Sequence, residues 1–261
     1  MIRLKTKAEI EGMRRAGAIL ARVLTHLAGM VRPGVTTRQM DQEADRLIRE
    51  AGAVATFRGQ KGLVDHAPPY PAATCISIDE QVIHGIPSDR AIREGEVVSV
   101  DCGVTWDGLI ADSAITVIAG RAPAPVERLV EVTRKSLWSA IRIARAGRHL
   151  HDLSHMVQTV AESEGFGVVR EFCGHGVGVD LHEDPPVPNC GTPGSGPLLR
   201  AGMTLAIEPM ITLGSPRIRV LKDGWTVVTS DRKPAAHFEH TILITDGEPE
   251  VLTLREGESP A

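Results

Sequence analysis

The feature that most constrains the fold is the run EVVSVDCGVTWDGLIADSAITVI, residues 96–118. β-Branched residues lie on both sides of Asp107-Gly108, and an Asp-Gly pair between two such runs is a strong signal for a two-residue hairpin turn. That turn would place Trp106 opposite Leu109 and would set the pairing of every residue behind them. The sequence therefore predicts a long antiparallel hairpin of defined register.

This register would bring two carboxylates together. Gly103 would oppose Asp112, and Asp101 lies two residues from Gly103, so Asp101 and Asp112 become diagonal neighbours on one face. Like charges on one face are destabilising unless solvent or a cation relieves them. For an isolated pair of acids, a solvated outer face is the simpler interpretation.

Two further acids favour a metal site over a solvated face. Glu208 follows the apolar run TLAI, and Glu239 lies within HFEHTILIT. Each acid alone could pair with an arginine or end a strand. Four acids on or beside apolar strands favour a common explanation, and divalent metal ions, which carboxylates bind and bridge, supply one.

The order of elements indicates an internal duplication. Two predicted helices precede the hairpin, the first capped by Thr6 and the second by Thr36 or Thr37, and two more precede a second set of strands. The run REGEVVSVD, residues 93–101, matches RAGMTLAIE, residues 200–208, with Arg, Gly and the terminal acid at equal spacing. We expect one domain over residues 1–261, built from α+β halves of about 1–120 and 121–261 that are related by a pseudo-twofold.

Two Asp-Gly pairs predict hairpin turns in the chain. Besides Asp107-Gly108, the pair Asp246-Gly247 follows the apolar strand AAHFEHTILIT and precedes EVLTL. An Asp-Gly pair in that setting favours a tight two-residue connection. We therefore expect a second hairpin near the end of the chain.

Composition narrows the class of protein. A net charge of −4 in 261 residues gives no general polyanion-binding signature, so no nucleic-acid substrate is expected. No eighteen-residue apolar run and no apolar leader are present, which predicts a soluble protein without membrane association. The four cysteines form no C-x-x-C pair, which suits reduced thiols in the cytoplasm.

The glycine-rich stretch EFCGHGVGVDLHEDPP, residues 171–186, has several possible uses. It could cradle a phosphate, hold a metal through its histidines and acids, or pair Cys173 as a nucleophile with His175. A dinucleotide-binding loop is excluded, because the stretch does not join a strand to a helix and the Asp-Pro-Pro that ends it cannot start a helix at once.

Five side chains, each in its own sequence context, resemble the metal ligands of the bacterial type I methionine aminopeptidases, which are pita-bread metallopeptidases of family M24. They are Asp101 in SVDCG, Asp112 in ADSA, His175 in CGHGVG, Glu208 in AIEPM and Glu239 in FEHT. The similarity runs from KTKAEIEGMRRAG through VIHGIP and DGWTV to EHTILIT. The resemblance implies the α+β pita-bread fold, with two α/β halves around a central antiparallel sheet.

The resemblance also implies a cofactor of two divalent ions, of Co, Mn, Fe or Zn. Asp112 and Glu239 would bridge the two ions, Asp101 would complete one of them, and His175 and Glu208 would complete the other. With Cys173 left no role, an activated water would be the nucleophile.

Three catalytic residues follow from the same resemblance. Glu208 would be the general base. His84 in VIHGIP would contact the scissile nitrogen or the nearby chain, and His182 in DLHEDP would donate to the developing oxyanion. His237 and His240 flank Glu239 and could support the ligands.

The substrate pocket departs from the family pattern. Positions matching its apolar and aromatic lining are Tyr70, Cys75, Trp225 and Phe238. Leu181 replaces a phenylalanine that is usual in the family, and Phe57 stands where a cysteine is common. The loop of residues 58–71 is also longer than usual. We therefore expect the catalytic chemistry of the family to apply to this chain more completely than the family's substrate specificity.

The resemblance predicts removal of the initiator methionine from new chains whose second residue is small. The partner would be the N-terminal peptide of a nascent chain, with transient ribosome contact, and we expect a monomer. An aminopeptidase of the same fold with altered first-residue or proline-directed specificity is the alternative, although proline-directed relatives usually carry a further N-terminal domain for which this chain has no room. A binding protein of the same fold without enzymatic activity would be expected to lack some of the metal-binding residues. All five are present in this sequence, which favours an enzyme.

Overall fold

The computed structural model describes residues 1–62 and 67–258, and this part of the chain contains four α-helices. They are α1 (Lys7–Met30), α2 (Thr37–Glu50), α3 (Ala124–Ile143) and α4 (Leu150–Ser163). The Thr6 side chain accepts from the Glu9 amide in a capping box, and Thr36 forms the same motif with Gln39. The predicted starts of the first two helices are therefore confirmed, with Thr36 rather than Thr37 as the second cap.

Fifteen strands are described in the same residues. They are β1 (Val54–Ala55), β2 (Thr74–Ile78), β3 (Gln81–Ile83), β4 (Val97–Trp106), β5 (Leu109–Ile118), β6 (Gly167–Val168), β7 (Cys173–Gly176), β8 (Glu183–Pro188), β9 (Thr204–Ile207), β10 (Met210–Thr212), β11 (Ile218–Val220), β12 (Val227–Thr229), β13 (Ala235–His237), β14 (Glu239–Leu243) and β15 (Glu250–Val251). The main sheet runs in the order β1-β4-β5-β14-β9-β7-β8, with β2 on β4 and β15 on β14. Two smaller sheets have the orders β13-β10-β6 and β11-β12-β3.

The hairpin β4-β5 has the predicted register. Trp106 opposes Leu109 and Gly103 opposes Asp112. Asp107 and Gly108 both have positive φ, 49° and 76°, as the favoured two-residue hairpin turn requires. Local turn chemistry therefore fixes the alignment of two ten-residue strands.

Two strand predictions need correction. The segment AAHFEHTILIT forms two strands. The residues up to His237 pair with β10 in a small sheet, and those from Glu239 pair with β5 in the main sheet. The second predicted hairpin is present, since β14 and β15 pair antiparallel, but its turn is not the predicted one. Leu243 pairs with Glu250, which leaves a six-residue connection, and neither Asp246 nor Gly247 has positive φ.

All four helices cover one face of the main sheet. Alternate hairpin residues such as Val100 and Cys102 pack with α1 and α2 in one core cluster. Leu205, Ile207 and Ile242, on the same face by register, pack with α3 and α4 in a second cluster. The opposite face of the sheet is left to line a cavity.

Matched features recur in the two parts of the chain. Gly34 and Gly147, which lie just ahead of α2 and α4, have φ of 91° and 85°. Isolated bridges join Thr36 to Ala91 and His149 to Leu198, each pair linking a helix cap to a segment shortly before a central strand. These features support the division into halves near residue 120, which stays a prediction.

None of the helices in the described residues combines the length and the apolar character needed to cross a bilayer.

Candidate metal centre

Five neighbouring strands of the main sheet each bring one candidate ligand. In sheet order, Asp101 lies in β4, Asp112 in β5, Glu239 at the start of β14, Glu208 directly after β9, and His175 in β7. The ligands are far apart in sequence, so the strand order is what brings them together.

The register places these side chains on one face. Ala114 opposes both Asp101 and Glu239, and Asp112 lies two residues from Ala114. Since side chains two residues apart on a strand point the same way, all three carboxylates share the face away from the helices.

The other half of the site follows the same rule. Ala206 opposes His175, and Glu208 lies two residues beyond Ala206. Pro209 cannot donate a ladder hydrogen bond, and β9 ends at Ile207, just before Glu208. The carboxylate of Glu208 therefore lies at a strand end beside the imidazole of His175.

The ligand atoms converge in space. One carboxylate or imidazole atom from each of Asp112, His175 and Glu239 lies within 4.8 Å of the others. His175 Nε2 is 3.7 Å from Glu208 Oε1 and 4.0 Å from Asp112 Oδ2. These distances suit several ligands around a common point.

Three of the four carboxylates are buried, and each of the three has one oxygen without a hydrogen-bond partner among the described residues. Asp112 and Glu239 are 4% and 2% exposed, and Asp101 Oδ1, Asp112 Oδ1 and Glu239 Oε1 have no hydrogen-bond partner in the described residues. Burial raises the pKa of Asp112 to about 8, and burial together with the charge of Asp112 raises the pKa values of Asp101, Glu208 and Glu239. Such a cluster fits divalent cations, which would compensate the buried charge.

His175 is oriented as a ligand should be. Its Nδ1 lies 2.9 Å from the carbonyl oxygen of Gly176, and because a carbonyl only accepts, Nδ1 carries the proton. The lone pair of Nε2 then faces the carboxylates, which is the arrangement that metal-binding histidines show. Burial lowers the pKa of His175 to about 3, so the ring is neutral at physiological pH.

A cavity of about 540 Å³ opens over this cluster. His84 and His182, the two histidines predicted to act on the substrate, line it. The ring of His182 is 4.5 Å from that of His175, centroid to centroid. His84 adopts φ of 59°, unusual outside glycine, and its Nδ1 is buried with no hydrogen-bond partner among the residues that the structure describes. Its ring packs edge-on against Phe172 and Trp225. Burial lowers the pKa of His84 to about 4.

Most of the predicted pocket residues line the same cavity. They are Phe57, Tyr70, Cys75, Leu181 and Trp225. The rings of Tyr70 and Trp225 meet edge to face at 4.9 Å, and Trp225 Nε1 donates to the carbonyl oxygen of Pro68 over 2.8 Å. The apolar part of the cavity therefore lies beside the carboxylate cluster.

Phe238 is the exception and does not line this cavity. It lies between His237 and Glu239, whose side chains both turn toward the carboxylates, and so its ring points the other way. There it packs in the core beneath α3 and lines a different cavity with Val130. The prediction that Phe238 forms part of the methionine pocket is not supported by its position.

Several residues that line the cavity were not predicted from the sequence. Ile83 of VIHGIP and Phe172 of the glycine-rich stretch 171–186 line it, and Gln60 and Lys61 reach it from the loop 58–71. Residues 63–66 of that loop lie outside the described residues. The base of the loop is closed by the Gly59 amide donating to Tyr70 O and the Tyr70 amide donating to Gln60 O.

Cys173 and His237 also approach the cluster. Cys173 lines the cavity, but burial raises the pKa of its thiol, which disfavours the nucleophilic thiolate. His237 Nε2 is 3.5 Å from Glu208 Oε2. His240, by contrast, lies on the helix side of the sheet, where Nδ1 is 2.9 Å from Thr253 Oγ1. Of the two flanking histidines, only His237 reaches a candidate ligand.

The chain has close relatives over nearly its whole length. Residues 11–246 match the family described as metallopeptidase family M24. The chain is 46% identical over 254 residues to the methionine aminopeptidase of Clostridium perfringens, covering 97% of this chain and 99% of that protein. It is 44% identical to methionine aminopeptidase 1 of Bacillus subtilis, covering 97% and 99%.

Solved structures agree at the level of the fold. The methionine aminopeptidase of Thermotoga maritima superposes with a TM-score of 0.94 at 45% identity, covering 98% of this chain and 100% of that one. The prolidase of Pyrococcus furiosus gives a TM-score of 0.73 at 21% identity, covering 97% of this chain and 66% of that one, and so shares the fold alone. These likenesses confirm the predicted α+β pita-bread fold.

Proposed function

This chain belongs to metallopeptidase family M24, and on that basis we propose that it is a metal-dependent methionine aminopeptidase that removes the initiator methionine from new polypeptides with a small second residue. The observation that carries the proposal is the convergence of Asp112, His175 and Glu239 under a cavity with an apolar wall. The names of relatives at 44–46% identity support the choice of substrate.

Two divalent ions, of Mn, Fe, Co or Zn, would be held by the five side chains. By the resemblance to the family, Asp112 and Glu239 would help to hold both ions. Asp101 would complete one ion, and His175 with Glu208 the other. When bound, such ions lower the pKa of water and neutralise developing negative charge.

The chain's own residues would bind the substrate and move its protons. Glu208, whose pKa burial raises, would take a proton from the attacking water. His182, at the edge of the cavity, would donate to the carbonyl oxygen as charge develops there. His84, held between Phe172 and Trp225, would contact the substrate near the scissile nitrogen.

The apolar wall would receive the first side chain of the substrate. Tyr70 and Trp225 form its aromatic corner, and Phe57, Cys75 and Leu181 complete it. An unbranched, polarizable methionine suits such an irregular apolar space. We place the enzyme, as a monomer with transient contact to the ribosome, in the cytoplasm, where new chains emerge.

Peptide hydrolysis tests the proposal. The purified protein should hydrolyse Met-Ala peptides, lose activity after thorough chelation and regain it with a divalent transition metal. Leu-Ala and Ala-Pro peptides, compared under the same conditions, should be poorer substrates. Activity that survives complete metal removal would contradict the mechanism, whereas a preference for Leu-Ala or Ala-Pro would contradict only the assigned specificity.

A further inference from the structure

A lysine near the start of the chain is almost completely buried beside the candidate catalytic loop. Lys5 Nζ lies 2.6 Å from Glu183 Oε2, and the two side chains are 1% and 10% exposed. A lysine is almost never buried this far without a specific partner. The ion pair therefore needs an explanation beyond surface solubility.

The second oxygen of Glu183 holds the backbone of that loop. Glu183 Oε1 accepts from the amide of Val179 at 2.7 Å and from the amide of Asp180 at 3.2 Å. These residues lie between β7 and β8, immediately before Leu181 and His182. One carboxylate thus bonds the loop through one oxygen and the ammonium through the other.

Lys5 is itself fixed at two points. Its amide donates to the carbonyl oxygen of Gly202 over 2.8 Å, and the amide of Gly202 donates to Ile244 O over 3.0 Å. The lysine stem crosses Gly178, where an added Cβ would lie 2.1 Å from Lys5 Cε. Glycine at residue 178 leaves the room through which the ammonium reaches Glu183.

The two parts of the loop are supported differently. Its beginning is held by the sheet, since the amides of Ile110 and Val177 donate to Gly178 O and Thr204 O. Beyond Gly178, Glu183 supplies the side-chain acceptor for both loop amides within residues 1–62 and 67–258. The backbone of Glu183 opposes Gly176 in the β7-β8 ladder, and the Gly178 amide donates to Asp180 O. The carboxylate of Glu183 adds the side-chain support for the segment that carries His182.

We propose that Lys5 is a positioning residue for His182, acting through the Glu183 carboxylate. The ammonium fixes the carboxylate, the carboxylate fixes the amides of residues 179 and 180, and the loop then presents His182 to the substrate carbonyl. This inference rests on the role of His182 in the proposed function. Lys5 touches neither substrate nor ligands and acts only through the loop.

Steady-state kinetics of Lys5→Met give the first test. Because His182 would act on charge that develops in the transition state, we expect kcat to fall about ten- to one-hundred-fold while KM stays close to its original value. Lys5→Arg keeps the charge and should recover part of the loss. Arg14→Met, which breaks an ion pair between α1 and Glu250 remote from the loop, is the matched control and should leave kcat unchanged.

A double-mutant cycle separates positioning from general damage. If Lys5 acts through His182, then adding Lys5→Met to His182→Ala should cause little further loss of kcat. Losses that multiply in the double variant would overturn the proposal. If Lys5→Met does not fold, Lys5→Met with Glu183→Gln removes both buried charges, and the same cycle is run with that pair.

Amide hydrogen exchange provides a readout independent of activity. The amides of Val179 and Asp180 should exchange faster in Lys5→Met than in the original protein, whereas the Ile110 amide, bonded to Gly178, should not change. Unchanged exchange at residues 179 and 180 would also overturn the proposal. A protein that hydrolyses no peptide even with added metal would contradict the proposed function instead, and would leave the exchange result to decide the role of Lys5 in the loop.

Discussion

At the scale of single residues, the candidate metal centre is marked by buried carboxylate oxygens that have no hydrogen-bond partner among the described residues. Buried carboxylate oxygens of Asp101, Asp112 and Glu239 have no hydrogen-bond partner within the described part of the chain, while His175 has its proton fixed on the nitrogen that points away from them. These are the features expected where cations belong. Sequence contexts such as CGHGVG pointed to residues that the fold brings together, but they did not show that Phe238 turns toward the core.

Replacing His175 tests the ligand set directly. We expect His175→Ala to weaken metal binding and to lower kcat by more than about 100-fold, since loss of residues that merely support a metal ligand already costs roughly 10–100-fold. Metal content after dialysis and steady-state kinetics give the two measurements.

His155→Ala is the control for that change. His155 lies on the exposed side of α4, where Nε2 is 3.3 Å from Thr159 Oγ1. It should bind metal and turn over substrate as the original protein does. A near-original rate for His175→Ala would remove His175 from the ligand set.

At the scale of elements, turn and capping residues in the sequence predicted the strand register and the helix starts that they determine. The Asp107-Gly108 turn set the whole register of β4 and β5, and the Thr6 and Thr36 caps set two helix starts. The break between β13 and β14 at Phe238 could not be predicted in this way, because a run of apolar residues has the same sequence pattern whether it forms one strand or two strands in different sheets. Only the pairing partners of β13 and β14 reveal it.

Helix α1 offers a test of packing at this scale. A Cβ at Gly17 would lie 2.1 Å from the carbonyl oxygen of Leu252, a backbone atom that cannot easily move. We expect Gly17→Ala to lower the free energy of unfolding by about 1–3 kcal/mol through overpacking. The shift of the denaturant midpoint at unchanged slope measures it.

Gly29, in the same helix, is the matched control. Nothing in residues 1–62 or 67–258 lies within 4 Å of a Cβ built there, so Gly29→Ala should raise the free energy of unfolding by about 0.5–1 kcal/mol. Equal effects of the two substitutions would show that helix propensity, and not the contact with Leu252, decides the outcome.

At the scale of the whole molecule, the buried acids couple stability to pH. Burial raises the pKa of Asp112 to about 8, whereas an unfolded Asp titrates near pH 4, so the folded protein without metal binds the extra proton between these values. A state that binds more protons loses stability as pH rises. The metal-free protein should therefore lose this contribution between about pH 4 and pH 8.

Melting temperatures with and without metal give the measurement. Bound cations favour the charged carboxylates, so the difference in Tm between metal-loaded and chelated protein should be larger at pH 8 than at pH 5. A difference that is the same at both values, or larger at pH 5, would contradict the assignment of these carboxylates as ligands.

The place of β14 in the sheet also has a consequence for biosynthesis. This strand, Glu239–Leu243, follows both β5 and β9 along the chain, yet it pairs with both of them in the middle of the main sheet. During translation, β1-β4-β5 and β9-β7-β8 can each form first, but within the described residues no other strand joins them along the sheet until β14 has been made. The candidate metal centre can therefore be completed only after β14 has been made, and a variant lacking β14 would carry its remaining candidate ligands on two unconnected sheets.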